Sequence, residues 1–248
     1  MVFIPEDILN KLKEIIDEAV NYIISRYNDG DIPDEESITE RFAQSIETKT
    51  KMNNTFTDDN RKYEIDTKIK SFNKRTEEPK VGADIAITIR YTINEPYREL
   101  FDFHFERNSR NVTYQKTILI QSKREHSNPF EIYQEDGKYF IETPLNREKI
   151  KKLIDQCSKM VKKTKNSFVL IYGKKDFHIL PAQDFLGRNN EYAKFTNSKL
   201  LSDFYREYWA CEYGDYELIK WNDVLYEDFY ELVNPKFHLI HSMKIKRR

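Results

Sequence analysis

Two short segments of the sequence combine an apolar run with polar residues that could do chemistry together. Segment 81–89 carries Asp84 near its start, and segment 116–123 ends with Gln121 and Lys123. Both segments are short and contain many β-branched residues, which predicts two buried strands. Because side chains alternate along a strand, Gln121 and Lys123 are expected on one face, where Asp84 meets them if the strands pair. A carboxylate, an amide and an ammonium at one sheet edge suit metal-assisted hydrolysis of phosphodiesters.

A fourth candidate, Glu35, lies on an early predicted helix. Proline at position 33 and the acidic residues after it are typical of a helix start. At 3.6 residues per turn, Glu35 falls on the same stripe as Ile38, Phe42 and Ile46. A carboxylate on a core-facing stripe is costly unless it is paired or binds a metal. The alternative is an acid at the helix N-terminus that stays in water.

The other elements must position these four residues. Periodicity predicts helices over 5–27, 145–163 and 200–211, a polar loop over 48–60, a strand over 63–72 that pairs with the Asp84 strand, a hairpin over 130–142, and strands over 167–173 and 177–182. This order predicts an α/β fold in which a mixed central sheet is flanked by helices. We divide the chain into an N-terminal helix (1–30), a core (31–185) and an aromatic-rich C-terminal extension packed on the core (186–248).

The helix over 145–163 has a polar stripe beside its apolar face, formed by Lys152, Gln156, Lys159 and Lys163. A basic stripe of this kind could follow the phosphates of a nucleic acid, and Arg124 is a fifth candidate for such contacts. A solvated helix face is the alternative interpretation.

Composition excludes several classes of protein. The net charge of −1 argues against a uniformly basic surface, although local basic stripes remain compatible with it. Two cysteines are too few for a disulfide framework or a zinc finger, which favours a reducing compartment. The N-terminus is too charged for a signal peptide and no apolar run could span a bilayer, so we expect a cytoplasmic protein without a membrane partner.

The histidines and cysteines suggest no site of their own. The five histidines lack metal-ligand spacing, and His238 and His241 are expected at the surface. Cys157 lies on an apolar helix face, which predicts an inert core residue. The sequence also has no phosphate-binding loop and no dinucleotide-binding fingerprint.

The order of three motifs resembles the PD-(D/E)xK (restriction-endonuclease-like) nuclease superfamily. These motifs are an acid on an early helix, then Gly82-Ala83-Asp84 at the start of a strand, then Gln121-Ser122-Lys123 at the end of the next strand. The last element is similar to the Q-x-K variant of Mrr-type restriction enzymes and antiphage effector nucleases. The resemblance extends loosely over Glu35 to Asp215 and includes Glu35-Glu36-Ser37-Ile38-Thr39, Gln156-Cys157-Ser158-Lys159-Met160, Leu180-Pro181-Ala182, Ser202-Asp203-Phe204 and Gly214-Asp215.

The resemblance implies a restriction-endonuclease-like fold and a DNA endonuclease, as in prokaryotic restriction or antiviral defence. It implies that Asp84, Gln121, Glu35 and a backbone carbonyl near Ser122 hold one Mg²⁺ or Mn²⁺. Lys123 would then orient or help to deprotonate the attacking water and stabilise the phosphate. The chain departs from the commoner pattern because a neutral amide, Gln121, replaces an acid, which should lower the affinity for a divalent ion.

Other interpretations stay open at this point. The chain could be an inactive nuclease-fold subunit that binds DNA or partner proteins in a defence complex, or a purely structural interaction protein. Asp84 and Lys123 could simply form a salt bridge that caps two strands. Besides DNA, a second defence-system subunit and a second copy of the chain are candidate partners, since cutting both strands requires two copies of a single site.

Overall fold

A large mixed sheet forms the centre of the computed structural model. The structure describes residues 4–32, 34–58, 61–71, 82–96, 109–125, 130–136, 138–144, 147–187, 192–214 and 235–247. The helices are α1 (Glu6–Asn28), α2 (Glu35–Met52), α3 (Glu148–Lys163) and α4 (Leu201–Trp209). The strands are β1 (Thr55–Thr57), β2 (Arg61–Ser71), β3 (Ile85–Pro96), β4 (Ser109–Arg124), β5 (Glu131–Glu135), β6 (Lys138–Pro144), β7 (Ser167–Tyr172), β8 (Phe177–Pro181), β9 (Tyr192–Phe195), β10 (Lys199–Leu200) and β11 (Phe237–Arg247). These elements confirm the predicted α/β class.

The central sheet has eight strands in the order β1-β2-β11-β3-β4-β7-β8-β10. Strands β3 and β4 pair with each other, which the expected meeting of Asp84 with Gln121 required; they are antiparallel, and β4 runs parallel to β7. A second sheet of three strands, β5-β6-β9, includes the predicted hairpin. The ends of β3 and β4 that carry the candidate residues therefore lie in the interior of the large sheet.

Each face of the large sheet has its own apolar core. On one face, Ile118 and Ile120 of β4 pack in a core that also contains the buried residues of α1, α2 and α4. On the other face, Leu119 of the same strand packs with Leu153 and Cys157 of α3 and with residues of the small sheet. The alternation along β4 is the expected two-residue period of a strand covered on both sides. Cys157 is fully buried, as predicted.

Helix α1 begins and ends close to the predicted residues, and helix α2 begins close to its predicted start. In α1, the apolar positions recur every three or four residues and are buried, and the helix ends at Asn28 ahead of Gly30, whose φ of +81° suits glycine. In α2, Asp34 is the N-cap, and its side chain accepts a hydrogen bond from the Ser37 amide at 2.8 Å. The predicted loop over 48–60 is wrong in part, because α2 continues to Met52 and β1 follows it.

The predicted pairing of segment 63–72 with the Asp84 strand is wrong. Strand β11 lies between β2 and β3, antiparallel to β2 and parallel to β3. Thirteen residues separate β2 from β3, which is more than a tight hairpin needs and leaves room for an inserted strand. Residues 186–248, predicted to be an extension packed on the core, thus contain an interior strand of the main sheet.

The prediction that His238 and His241 lie at the surface is also wrong, because both side chains are buried on β11. His238 Nε2 is 2.8 Å from Thr88 Oγ1, and His241 Nδ1 is 2.9 Å from Thr67 Oγ1. Burial lowers the pKa of each imidazole to about 3. Both rings are therefore neutral hydrogen-bonding groups inside the sheet at neutral pH.

No helix in the described ranges is long and apolar enough to cross a membrane.

The buried histidines make stability depend on pH. The pKa of each histidine is lower in the folded protein than the ordinary value of 6.5. The contribution of the neutral histidines to the free energy of unfolding is therefore complete above pH 6.5 and is lost as the pH falls toward 3. Between pH 7 and pH 5, each histidine should remove about 2 kcal/mol from the free energy of unfolding. In urea titrations, the free energy of unfolding of His238→Gln should decrease between pH 7 and pH 5 by about 2 kcal/mol less than that of the wild type. An unchanged fall in the variant would contradict a buried neutral His238.

Candidate active site at the ends of strands β3 and β4

The register of β3 and β4 brings Asp84 and Gln121 face to face. Ile85 pairs with Ile120, so Asp84, one residue before Ile85, lies opposite Gln121, one residue after Ile120. The Asp84 amide donates to the Ile120 carbonyl at 3.0 Å, which extends the ladder to this pair. The strand pairing on which the expected convergence depends is therefore present, and it brings Asp84 next to Gln121.

Asp84 is a buried carboxylate, with only 6% of its side chain exposed. Its Oδ2 accepts hydrogen bonds from the Gln121 side-chain amide, from the Ser122 amide at 3.2 Å and from the Ser122 hydroxyl at 3.1 Å. All three donors belong to β4, so the strand that faces Asp84 also stabilises its charge.

The fourth partner of Asp84 is Lys236, a residue that the sequence interpretation missed. Lys236 Nζ lies 3.0 Å from Asp84 Oδ1. The backbone holds the two together, because the amide of the next residue, Phe237, donates to the Asp84 carbonyl at 2.9 Å. A sequence signal was available, since Phe237, Leu239, Met243 and Ile245 alternate with mainly polar residues and predict a strand directly after Lys236.

Lys123 and Glu35 form a second ion pair at the same end of the sheet. Lys123 Nζ is 3.4 Å from Glu35 Oε1 and donates to the Ser122 carbonyl at 2.7 Å. Both side chains are largely shielded from water, with 14% of Lys123 and 28% of Glu35 exposed. All four predicted catalytic residues thus lie at one end of the β3–β4 pair, in two connected clusters.

Glu35 is held near Asp84 by the first turn of α2. The Thr39 hydroxyl donates to the Glu35 carbonyl at 2.9 Å and is 2.7 Å from the Tyr172 hydroxyl on β7. Burial raises the pKa of the Glu35 carboxyl, the Lys123 ammonium opposes this shift, and the Asp84 carboxylate adds to it. The raised pKa therefore reflects mainly the burial of the Glu35 carboxyl, with a smaller contribution from the nearby Asp84 carboxylate.

Two of the four predicted catalytic residues, Asp84 and Glu35, border an open pocket of about 210 Å³, whereas Gln121 and Lys123 are not among its lining residues. It is lined by Asp84, Glu35, Ser122 and Lys236, together with Asp34, Glu36, Thr39 and Phe237. The pocket can hold a hydrated ion or one phosphate group, so the buried carboxylate is accessible from one direction.

The residues present fit one hard divalent cation. Carboxylate, amide and carbonyl oxygens are the ligands that Mg²⁺ and Mn²⁺ prefer, and Asp84, Glu35, Gln121 and Ser122 supply all three kinds. Gln121 is 1% exposed, its Nε2 faces Asp84 and its Oε1 has no hydrogen-bond partner, so the buried amide holds an oxygen that a donor or a cation could satisfy after a half-turn of the amide. Within the described residues, no three His, Cys, Asp or Glu side chains cluster as metal ligands, so neutral oxygens or water must complete the shell.

Helix α3 approaches the entrance of the Asp84 strand at Gly82. Gly82 has a φ of +77°, and a Cβ at this position would lie 2.9 Å from the Cα and the Cβ of Gln156. Gln156 is therefore beside the site, and its Oε1 is also buried without a partner. Burial raises the pKa of the neighbouring Cys157 thiol to about 12, and the positive charge of the Lys123 ammonium opposes this rise.

The other predicted nucleic-acid contacts divide between the two sides of the sheet. Lys152, Lys159 and Lys163 are exposed on α3, and Lys159 pairs with Asp155 at 2.7 Å. Arg124 instead lies over the ring of Tyr27, 5.3 Å from its centroid, on the side of α1. The structure therefore places the α3 residues and Arg124 on different surfaces.

Comparison of the chain with family models, with curated proteins and with solved structures gives no match.

The contact between Gly82 and α3 can be tested by Gly82→Ala. The substitution adds a left-handed backbone penalty and a clash with helix backbone, so it should lower the free energy of unfolding by about 2–4 kcal/mol. Gly30→Ala is the matched control, because Gly30 has a similar φ of +81° but nothing within 4 Å. Gly30→Ala should lower the free energy of unfolding by about 1–2 kcal/mol. Equal losses in denaturant titrations would contradict the close approach at Gly82.

Proposed function

We propose that the protein is a metal-dependent endonuclease that hydrolyses DNA phosphodiester bonds, as a prokaryotic restriction or antiphage-defence effector. The observation that carries the proposal is the convergence of Asp84, Gln121, Lys123 and Glu35 at one sheet end. The resemblance of the ordered motifs to PD-(D/E)xK nucleases of the Q-x-K type supports the same activity.

In the proposed mechanism, each of these side chains has its own role. Asp84, Glu35 and, after a half-turn of its amide, Gln121 would hold Mg²⁺ or Mn²⁺ through oxygen. A bound ion would lower the pKa of a water and offset the charge that develops on the phosphate. Lys123, fixed by the Ser122 carbonyl, would orient that water and donate to a phosphate oxygen. Ser122 keeps Asp84 in place through its amide and hydroxyl.

Helix α3 supplies the surface that best matches a DNA backbone. Residues 147–165 contain many more basic than acidic residues, in a chain whose net charge is −1. The basic residues are Arg147, Lys149, Lys151, Lys152, Lys159, Lys162, Lys163 and Lys165, and the acidic ones are Glu148 and Asp155. Because Gln156 adjoins Gly82, phosphates bound along this helix would pass close to the candidate site.

Plasmid cleavage tests the proposed activity. Purified protein with Mg²⁺ or Mn²⁺ should cut plasmid DNA, and EDTA should stop the cutting. Asp84→Ala and Lys123→Ala should each slow cutting by about 10²–10³, the typical cost of removing a transition-state stabiliser. Lys244→Ala is the control, since Lys244 is exposed on β11. Cutting that persists in both site variants would exclude this site.

The α3 surface has a separate test in the salt dependence of DNA binding. Each phosphate contact adds about 0.9 to the slope of log K against log salt concentration on duplex DNA. Replacing Lys152, Lys159 and Lys163 with alanine should therefore reduce the slope by about 2–3. Alanine at three other exposed lysines, Lys51, Lys68 and Lys244, provides a matched control. Equal slopes in the two triple variants would place the DNA elsewhere.

A second candidate function is a DNA-binding or assembly subunit that lacks turnover. Two observations favour it: a neutral Gln121 replaces an acid, and protein donors already satisfy both oxygens of Asp84. Thermal melting with and without Mn²⁺ separates the two functions. Retained DNA binding without any Mn²⁺-dependent rise in melting temperature would support the subunit.

A further inference from the structure

The four donors to Asp84 differ in how easily they can leave. Three belong to Gln121 and Ser122, which are buried on an interior strand. The fourth, the Lys236 ammonium, stands at the end of a flexible side chain that is 35% exposed. Of these four donors, the ammonium is the one carried by a long, partly exposed side chain, so it can move into water most easily.

Lys236 also occupies the accessible side of the carboxylate. The three β4 donors all bind Oδ2, whereas Lys236 binds Oδ1 at 3.0 Å and lines the same pocket as Glu35. A divalent cation that enters the pocket must bind Oδ1 at about 2.0–2.6 Å, the range for Mg²⁺ and Ca²⁺. The ammonium and the metal would then be like charges on one oxygen, which is unfavourable in a partly buried site.

We propose that Lys236 is a resident competitor of the divalent cation, whose ammonium neutralises Asp84 in the metal-free protein and leaves Oδ1 when the metal binds. This inference rests on the proposed function, because it concerns the metal of the same site. The displaced ammonium would then be available to bind a phosphate group of a substrate in the pocket. The competition sets a minimum cation concentration for the site.

Calorimetric titration of Mn²⁺ into the full-length, metal-free protein tests the competition without measuring activity. Lys236→Met removes the charge but keeps most of the length of the side chain. It should lower the Kd for Mn²⁺ by about tenfold or more, within the usual range for coupling between two ligands. Lys236→Arg keeps the charge and should stay close to the wild type. Lys244→Met, in β11 and about eight residues further along the chain than Lys236, controls for the general loss of a positive charge.

The outcomes separate this inference from the proposed function. Tighter binding in Lys236→Met alone supports the competition. Measurable binding with equal or weaker affinity in Lys236→Met overturns the competition and leaves the metal site intact. Equal tightening in Lys244→Met overturns it as well, because the effect would then be general electrostatics. Absence of binding in all four proteins overturns both the metal site and the competition. Thermal melting of each variant verifies folding, and Lys236→Gln, which also removes the charge, repeats the test if Lys236→Met does not fold.

Discussion

The burial of the Asp84 charge is the constraint on which the candidate site depends. An ionised carboxylate that is 6% exposed is stable only if its partners are in place before it is covered. The register of β3 and β4 supplies Gln121 and Ser122, and the start of β11 supplies Lys236. Three strands must therefore meet at one end to make the charge tolerable, and the accessible pocket lies at that meeting point.

The same sheet carries a second polar group in its interior. His238 contacts Thr88, which is 2.8 Å from Thr117 on β4, so β11, β3 and β4 are linked by side chains as well as by their backbone ladder. Such a chain of neutral hydrogen bonds favours one register over its neighbours, because a slip of one residue would leave buried polar groups without partners. These hydrogen bonds, which lie away from the site, thus help to fix the register that places Asp84 opposite Gln121.

Local patterns in the sequence predicted the parts of the fold that depend on local physics. The periodicity of α1 and the apolar runs of β3 and β4 were visible as apolar spacing, and the start of α2 was visible in its proline and acidic residues. The position of β11 was not, because alternation along a strand defines its faces but not its neighbours. Lys236 and the buried histidines were missed for that one reason. Membership of the nuclease superfamily remains a prediction.

The interior position of β11 has a consequence for synthesis of the chain. Among the described strands, β11 is the one that joins β2 to β3, so without it their sheet divides into two pieces, β1-β2 and β3-β4-β7-β8-β10. A nascent chain that has emerged from the ribosome only as far as residue 214 therefore has the second piece but leaves Asp84 without Lys236 and the Phe237 amide. The complete surroundings of Asp84 therefore arise only once β11 has been synthesised, later than every other described strand.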